Sequence, residues 1–219
     1  MKAKGVNQFV NNVVYNWEAG AYILGGSERA SAANISGNYF ISGPGNAKPA
    51  FTRGNQNFSL FAEDNFQDST RNGRLDGTLI PTANYGPVRW QSRPYAYPGV
   101  TPRTAAQAYA YVVAHAGASL RRDAVDRRLL QELTSLGKLG QIIQTENDTP
   151  MHGPGPLASG PAPPDTDQDG MPDAWEQRHG LNPRHPADRH QDRNHDGYSN
   201  LEEYLQEPTQ EAAPARLSK

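Results

Sequence analysis

Asn12-Val13-Val14, Asn38-Tyr39-Phe40 and Asn65-Phe66-Gln67 place an asparagine ahead of a short run at intervals of 26 and 27 residues. A repeat period in the twenties is the signature of a solenoid, in which each coil buries its apolar side against the next. Asparagines pointing inward from successive coils would hydrogen-bond along a ladder, as in parallel β-helices. A plainer reading stays open, because asparagine is common in turns and the first hundred residues hold twelve. The apolar runs Phe9–Tyr15, Ala21–Leu24, Asn38–Ile41 and Phe58–Ala62, separated by Gly, Asn and Ser, read as strands and turns.

From Thr104 the periodicity becomes helical. Thr104 and Gln107 fit a capping box, and Tyr109, Val112, Val113 and Ala116 share a face before Gly117. A second helix is expected from about Asp123 to Gly137, with Val125, Leu129, Leu133 and Leu136 as its apolar stripe. Both helices are expected against the end or side of the solenoid. Residues 148–164, rich in proline and glycine, read as an exposed linker between a body (1–147) and a small unit (165–207). Residues 208–219 read as a disordered tail.

Charge separates the two parts. Residues 1–160 carry 15 Lys/Arg against 11 Asp/Glu, and 161–219 carry 6 against 12. The acidic end argues for a cation partner and against nucleic acid or an anionic membrane. No apolar run reaches the ~20 residues of a membrane span, and no signal peptide follows Met1. The absence of cysteine excludes disulfides and thiolate metal sites. With 21 Gly, 18 Pro and a mean hydropathy of -0.78, a helical bundle is disfavoured.

The acidic end carries two twelve-residue stretches, Asp165-Thr-Asp-Gln-Asp-Gly-Met-Pro-Asp-Ala-Trp-Glu176 and Asp192-Arg-Asn-His-Asp-Gly-Tyr-Ser-Asn-Leu-Glu-Glu203. Each has oxygen side chains at positions 1, 3, 5, 9 and 12, a backbone carbonyl at position 7 and glycine at the sharp turn of position 6. A hard, oxygen-seeking cation requires that pattern, and calcium fits it better than magnesium, which prefers a tight octahedron with retained waters. The expected ligands are Asp165, Asp167, Asp169, Met171, Asp173 and Glu176 in loop one, and Asp192, Asn194, Asp196, Tyr198, Asn200 and Glu203 in loop two. Fewer carboxylates and the neighbouring Arg193 make loop two the expected weaker site. Pro163-Pro164 leave no incoming helix, so the unit is loop then helix, twice: Asp173–His179 and Asn200–Gln206, with Trp175, Leu181, Tyr198, Leu201 and Tyr204 as a minimal core. His179, His185, His190 and His195 fit no zinc spacing. The module resembles the thrombospondin type 3-like or dockerin-like calcium modules of secreted bacterial proteins.

Asn11-Asn12-Val-Val-Tyr15-Asn-Trp17, Tyr22-Ile-Leu-Gly-Gly-Ser27, Asn38-Tyr-Phe, Ala50-Phe-Thr-Arg-Gly54 and Ala116-Gly-Ala-Ser119 together resemble the C-terminal part of bacterial pectate lyases. The resemblance implies a mainly β fold: a partial right-handed parallel β-helix with two C-terminal helices, followed by the loop–helix calcium module. It implies calcium-dependent β-elimination on polygalacturonate, an acidic plant polysaccharide, by a secreted enzyme. In that family calcium bridges substrate and enzyme carboxylates, and an arginine in an Arg-x-Pro-x-x-Arg stretch is the base, unusual for a group almost always protonated. Counting back from Asn11 places that base before Met1 and the second arginine at Ala3, between Lys2 and Lys4, with the catalytic calcium carboxylates further upstream. The expectation is therefore a fragment of a longer lyase with no catalytic residue among these 219 and no activity alone. The alternative is a non-catalytic solenoid binding acidic glycan, with a calcium-stabilised module for a cell-surface or scaffold partner.

Overall fold

In a computed structural model, residues 5–25, 29–46, 48–97, 99–119, 122–149, 153 and 160–207 are described. Lys2, Ala3, Lys4, the expected tail 208–219 and most of the expected linker lie outside them. The chain divides into two compact units, 1–155 and 156–219.

The first unit is a β-solenoid of about three coils. One parallel sheet orders β1 (Gly5–Val10), β4 (Ser31–Ser36), β7 (Phe58–Glu63) and β10 (Arg89–Trp90). A second orders β2 (Val13–Tyr15), β5 (Tyr39–Ile41), β8 (Phe66–Asp68) and β9 (Thr78–Leu79), the last antiparallel. A third pairs β3 (Tyr22–Ile23) with β6 (Phe51–Thr52). The register steps Asn7 onto Ala33 and Ala33 onto Leu60, preserving the period of the sequence.

The expected single run Phe9–Tyr15 is broken, because Asn11 adopts φ 60 and turns the chain between β1 and β2. Gly37 (φ 64) and Asp64 (φ 52) make the same left-handed turn one and two coils later. The residue after each turn is an asparagine of the repeat. Asn38 Oδ1 accepts from Asn12 N (2.8 Å) and Nδ2 (3.0 Å), and Asn65 Oδ1 accepts from Asn38 Nδ2 (2.8 Å). Asn65 Nδ2 in turn donates to Ile35 O (2.7 Å) and to the Tyr85 hydroxyl (3.1 Å), which ends the ladder. Burial pushes the Tyr85 phenol up to about 12, so it stays a neutral hydrogen-bonding group.

Inside the coils Ile35, Leu60, Phe40, Phe51 and Tyr85 form one core, with Phe51 and Tyr85 rings stacked 4.3 Å apart. A second cluster lies on the outer side of the β2–β5–β8 sheet, where Tyr39 and Ile41 meet Ala105, Tyr109, Val112 and Val113 of α1 (Ala105–His115) and Leu130 and Leu133 of α2 (Ala124–Thr134). The helices thus cover the side of the solenoid. Thr104 and Gln107 form the expected capping box, while Asp64 Oδ2 accepts from Ala105 N (2.7 Å) and ties α1 to the third turn. The stripe of α2 differs from expectation: Leu129 is 50% exposed, and Leu130 packs with Leu133 and Leu136 instead. Among the described residues no helix is long and apolar enough to cross a membrane.

Candidate metal centre

The second unit contains α3 (Asp173–His179) and α4 (Asn200–Gln206), each preceded by one of the two acidic loops. Their boundaries are those expected. Gly180 at φ 73 closes α3, with Leu181 N donating to Glu176 O (2.8 Å) as in a Schellman turn. Ser199 and Glu202 cap α4 reciprocally. Trp175 is buried and meets the rings of Tyr204 and His179, but Tyr198, expected in the core, is 50% exposed. The fully buried Met171 side chain supplies apolar volume that the expected core lacks.

The two loops share one backbone design. Gln168 (φ 60) and Gly170 (φ 97) in loop one correspond to His195 (φ 60) and Gly197 (φ 96) in loop two. The first carboxylate ties down the fifth and sixth amides in both: Asp165 accepts from Asp169 N (3.3 Å) and Gly170 N (3.1 Å), and Asp192 from Asp196 N (3.2 Å) and Gly197 N (2.9 Å). The fifth carboxylate then accepts from the seventh amide, Asp169 from Met171 N and Asp196 from Tyr198 N. These carboxylate-to-amide bonds, common to the two loops, follow from the spacing of the motif.

Loop one converges. Carboxylate oxygens of Asp165, Asp167 and Asp169 lie within 4.8 Å of one another, as do those of Asp169, Glu176 and Asp188. Both oxygens of Asp167 and Glu176, Oδ2 of Asp169 and Oδ1 of Asp188 are buried with no hydrogen-bond partner. An ionised carboxylate only accepts, so such a cluster needs either protons or a cation. Burial, then the charges of Asp167, Asp169 and Asp188, push the Glu176 carboxyl up to about 7. Burial likewise raises Asp169, with the Met171 amide pulling the other way. An all-oxygen donor set of this density fits calcium and lacks the nitrogen and sulfur that zinc favours.

One expected ligand, Asp173, lies outside these carboxylate groups, and one carboxylate that was not expected, Asp188, lies within them. Asp173 spends both oxygens on Thr166, accepting from its N (2.7 Å) and Oγ1 (2.7 Å), and those bonds hold its carboxyl below the usual range. Asp188 belongs to neither loop, yet a 3-10 turn (Asp188–His190) delivers it, 5% exposed, to the cluster. The only sequence signal for it is an isolated carboxylate in a segment otherwise rich in Arg and His.

Loop two is more open. Asn194, Asp196 and Tyr198 are exposed, and Arg193 sits 2.9 Å from Glu203. Asn194 bonds within the loop, accepting from Asp196 N (3.1 Å) and donating to Asp196 Oδ2 (3.1 Å). Asn200 is fully buried; its Nδ2 donates to Asp188 O (2.7 Å) and its Oδ1 has no partner.

The chain is similar to proteins named probable pectate lyase C from three fungi. It is 46% identical over 186 residues to those of Aspergillus flavus and Neosartorya fischeri, covering 83% of this chain and 44% of each relative. To that of Emericella nidulans it is 43% identical over 204 residues, covering 92% of this chain and 47% of the relative. No protein-family model and no solved structure matches the chain. The chain is therefore pectate-lyase-like over most of its own length, and it spans about half the length of the curated relatives it matches.

Proposed function

We propose that this chain supplies solenoid coils and a calcium-ordered unit to a secreted, pectate-lyase-like enzyme that cleaves polygalacturonate by β-elimination. The observation that carries this reading is the 43% to 47% identity to probable pectate lyases. The asparagine-laddered solenoid agrees with it. In the second unit Asp165, Asp167, Asp169 and Glu176 would hold calcium, with Asp192, Asn194, Asp196, Asn200 and Glu203 forming a weaker second site. Bound calcium supplies the positive charge that lets these carboxylates remain ionised while buried.

Neither loop is the catalytic calcium site of the lyase reaction on this reading. One stretch, Arg184-His185-Pro186-Ala187-Asp188-Arg189, does have the Arg-x-Pro-x-x-Arg spacing attributed to the catalytic base. It lies in the metal-binding unit rather than ahead of the Asn-Asn strand. There Arg189 donates to Asp169 O (3.2 Å) and to the His190 ring (3.0 Å). The test is incubation of the 219-residue chain with polygalacturonate and calcium, following ultraviolet absorbance of the unsaturated product. The same assay is run on a longer protein that also carries an upstream Arg-x-Pro-x-x-Arg segment. Absorbance is expected to rise only for the longer protein. A rise with the present chain contradicts the placement of the base outside it, and no rise with either contradicts the lyase reading.

A further inference from the structure

We propose that Asp188 is a ligand of the first calcium site, in the position that the twelve-residue motif assigns to Asp173. The proposal rests on the calcium reading of loop one and adds a ligand from outside the motif. Asp188 Oδ2 is anchored by Asn182 N (3.2 Å), which fixes the side chain and leaves Oδ1 buried and without a partner. Oxygens of Asp188, Asp169 and Glu176 lie mutually within 4.8 Å, so one cation between them touches all three groups. Asp173 offers neither condition. Both its oxygens accept strong hydrogen bonds from Thr166, and it would have to give these up to reach an ion. The charge-assisted bonds to Thr166 give Asp173 a separate task, closing the entrance of loop one onto the start of α3.

The position of Asp188 also joins the two loops. Its carbonyl accepts from Asn200 Nδ2 (2.7 Å), and Asn200 is the ninth residue of loop two, with Oδ1 buried and free to face an ion. A cation that fixes Asp188 thereby fixes Asn200, and the second loop is ordered by the filling of the first.

Calcium titration calorimetry on the full chain decides the matter, comparing the parent with Asp188→Asn and Asp173→Asn. Asparagine at 188 keeps an oxygen for the Asn182 amide, and at 173 it keeps one for Thr166. Asp188→Asn should weaken the tighter site at least tenfold, whereas Asp173→Asn should change it less than threefold. Unchanged affinity in Asp188→Asn, or an equal loss in Asp173→Asn, overturns the proposal while leaving calcium binding intact. Absence of any binding heat or uptake in the parent overturns the calcium reading and the proposal with it. A crystal structure of the calcium-loaded parent tests the same assignment without a variant. Asp188 Oδ1 should lie about 2.3–2.6 Å from the ion, and Asp173 there in its place refutes the assignment.

Discussion

Replacing Asn38 by alanine removes the middle rung of the asparagine ladder and tests whether the repeat is structural. Asn38 is fully buried. Its Oδ1 accepts from Asn12 N and Nδ2, and its Nδ2 donates to Asn65 Oδ1 and Phe9 O, both at 2.8 Å. Truncation takes the acceptor from the Asn12 amide and one donor each from Asn65 and Phe9. A buried donor left unmade costs about 1–3 kcal/mol, and each lost neutral bond about 1 kcal/mol more. The sum is about 3–5 kcal/mol, a large share of the stability of one domain. With a urea dependence of about 2 kcal/mol per molar, the midpoint should fall by roughly 2 M. Urea unfolding of the solenoid, followed by far-ultraviolet circular dichroism in calcium chelator, reads the shift. Asn84→Ala, at an exposed position in the 3-10 turn Thr82–Tyr85, is the control and should move the midpoint little. An Asn38→Ala loss below about 1 kcal/mol, the value of an ordinary hydrogen bond, would refute the ladder as a source of stability.

Two further outcomes follow from particular side chains. On α2, Leu129→Lys should change stability by less than about 0.5 kcal/mol, because Leu129 faces solvent, while Leu133→Ala should cost about 2–4 kcal/mol; thermal unfolding that ranks them the other way contradicts the packing of α2. In chelator, Glu176 titrates at about 7 when folded against an ordinary 4.5. Its raised value favours folding fully below about 4.5, and that contribution is lost as pH rises through 7. The lowered carboxyls Asp173, Asp192, Glu202 and Glu207 act in the opposite sense, but in the acid range below their ordinary values. Trp175 fluorescence should therefore report a C-terminal unit that weakens from pH 5 to pH 8 in chelator and does not weaken in calcium. A midpoint that rises with pH in chelator would contradict the proton-or-cation account of the cluster.

The solenoid was legible because each coil must return the same inward residue to the same place, and Asn12, Asn38 and Asn65 carry that constraint in their spacing. The two-residue strands Thr78–Leu79 and Arg89–Trp90 were not, since strands that short show no alternation. Nor was the end of the ladder, because Tyr85 reaches Asn65 from a turn twenty residues on and shares no motif with it. In α2 the 3.6-residue period admits Leu129 or Leu130 equally, and contact with the β2–β5–β8 sheet selects Leu130. The backbone shape of the two acidic loops could be read from their own residues, as local hydrogen bonding sets it. Asp188 could not, because only the fold of the segment between the loops brings it to Asp169 and Glu176. Likewise the diversion of Asp173 to Thr166 depends on a hydroxyl the metal pattern leaves unspecified.

Equilibrium dialysis of the full chain against calcium, with the bound ion counted by atomic absorption, tests the metal centre most directly. The account predicts two calcium ions per chain, the first held more tightly than the second, and both lost to chelator. A chain that retains no calcium at millimolar free ion would contradict it, for the buried oxygens of Asp167, Asp169, Glu176 and Asp188 would then have no cation to answer them.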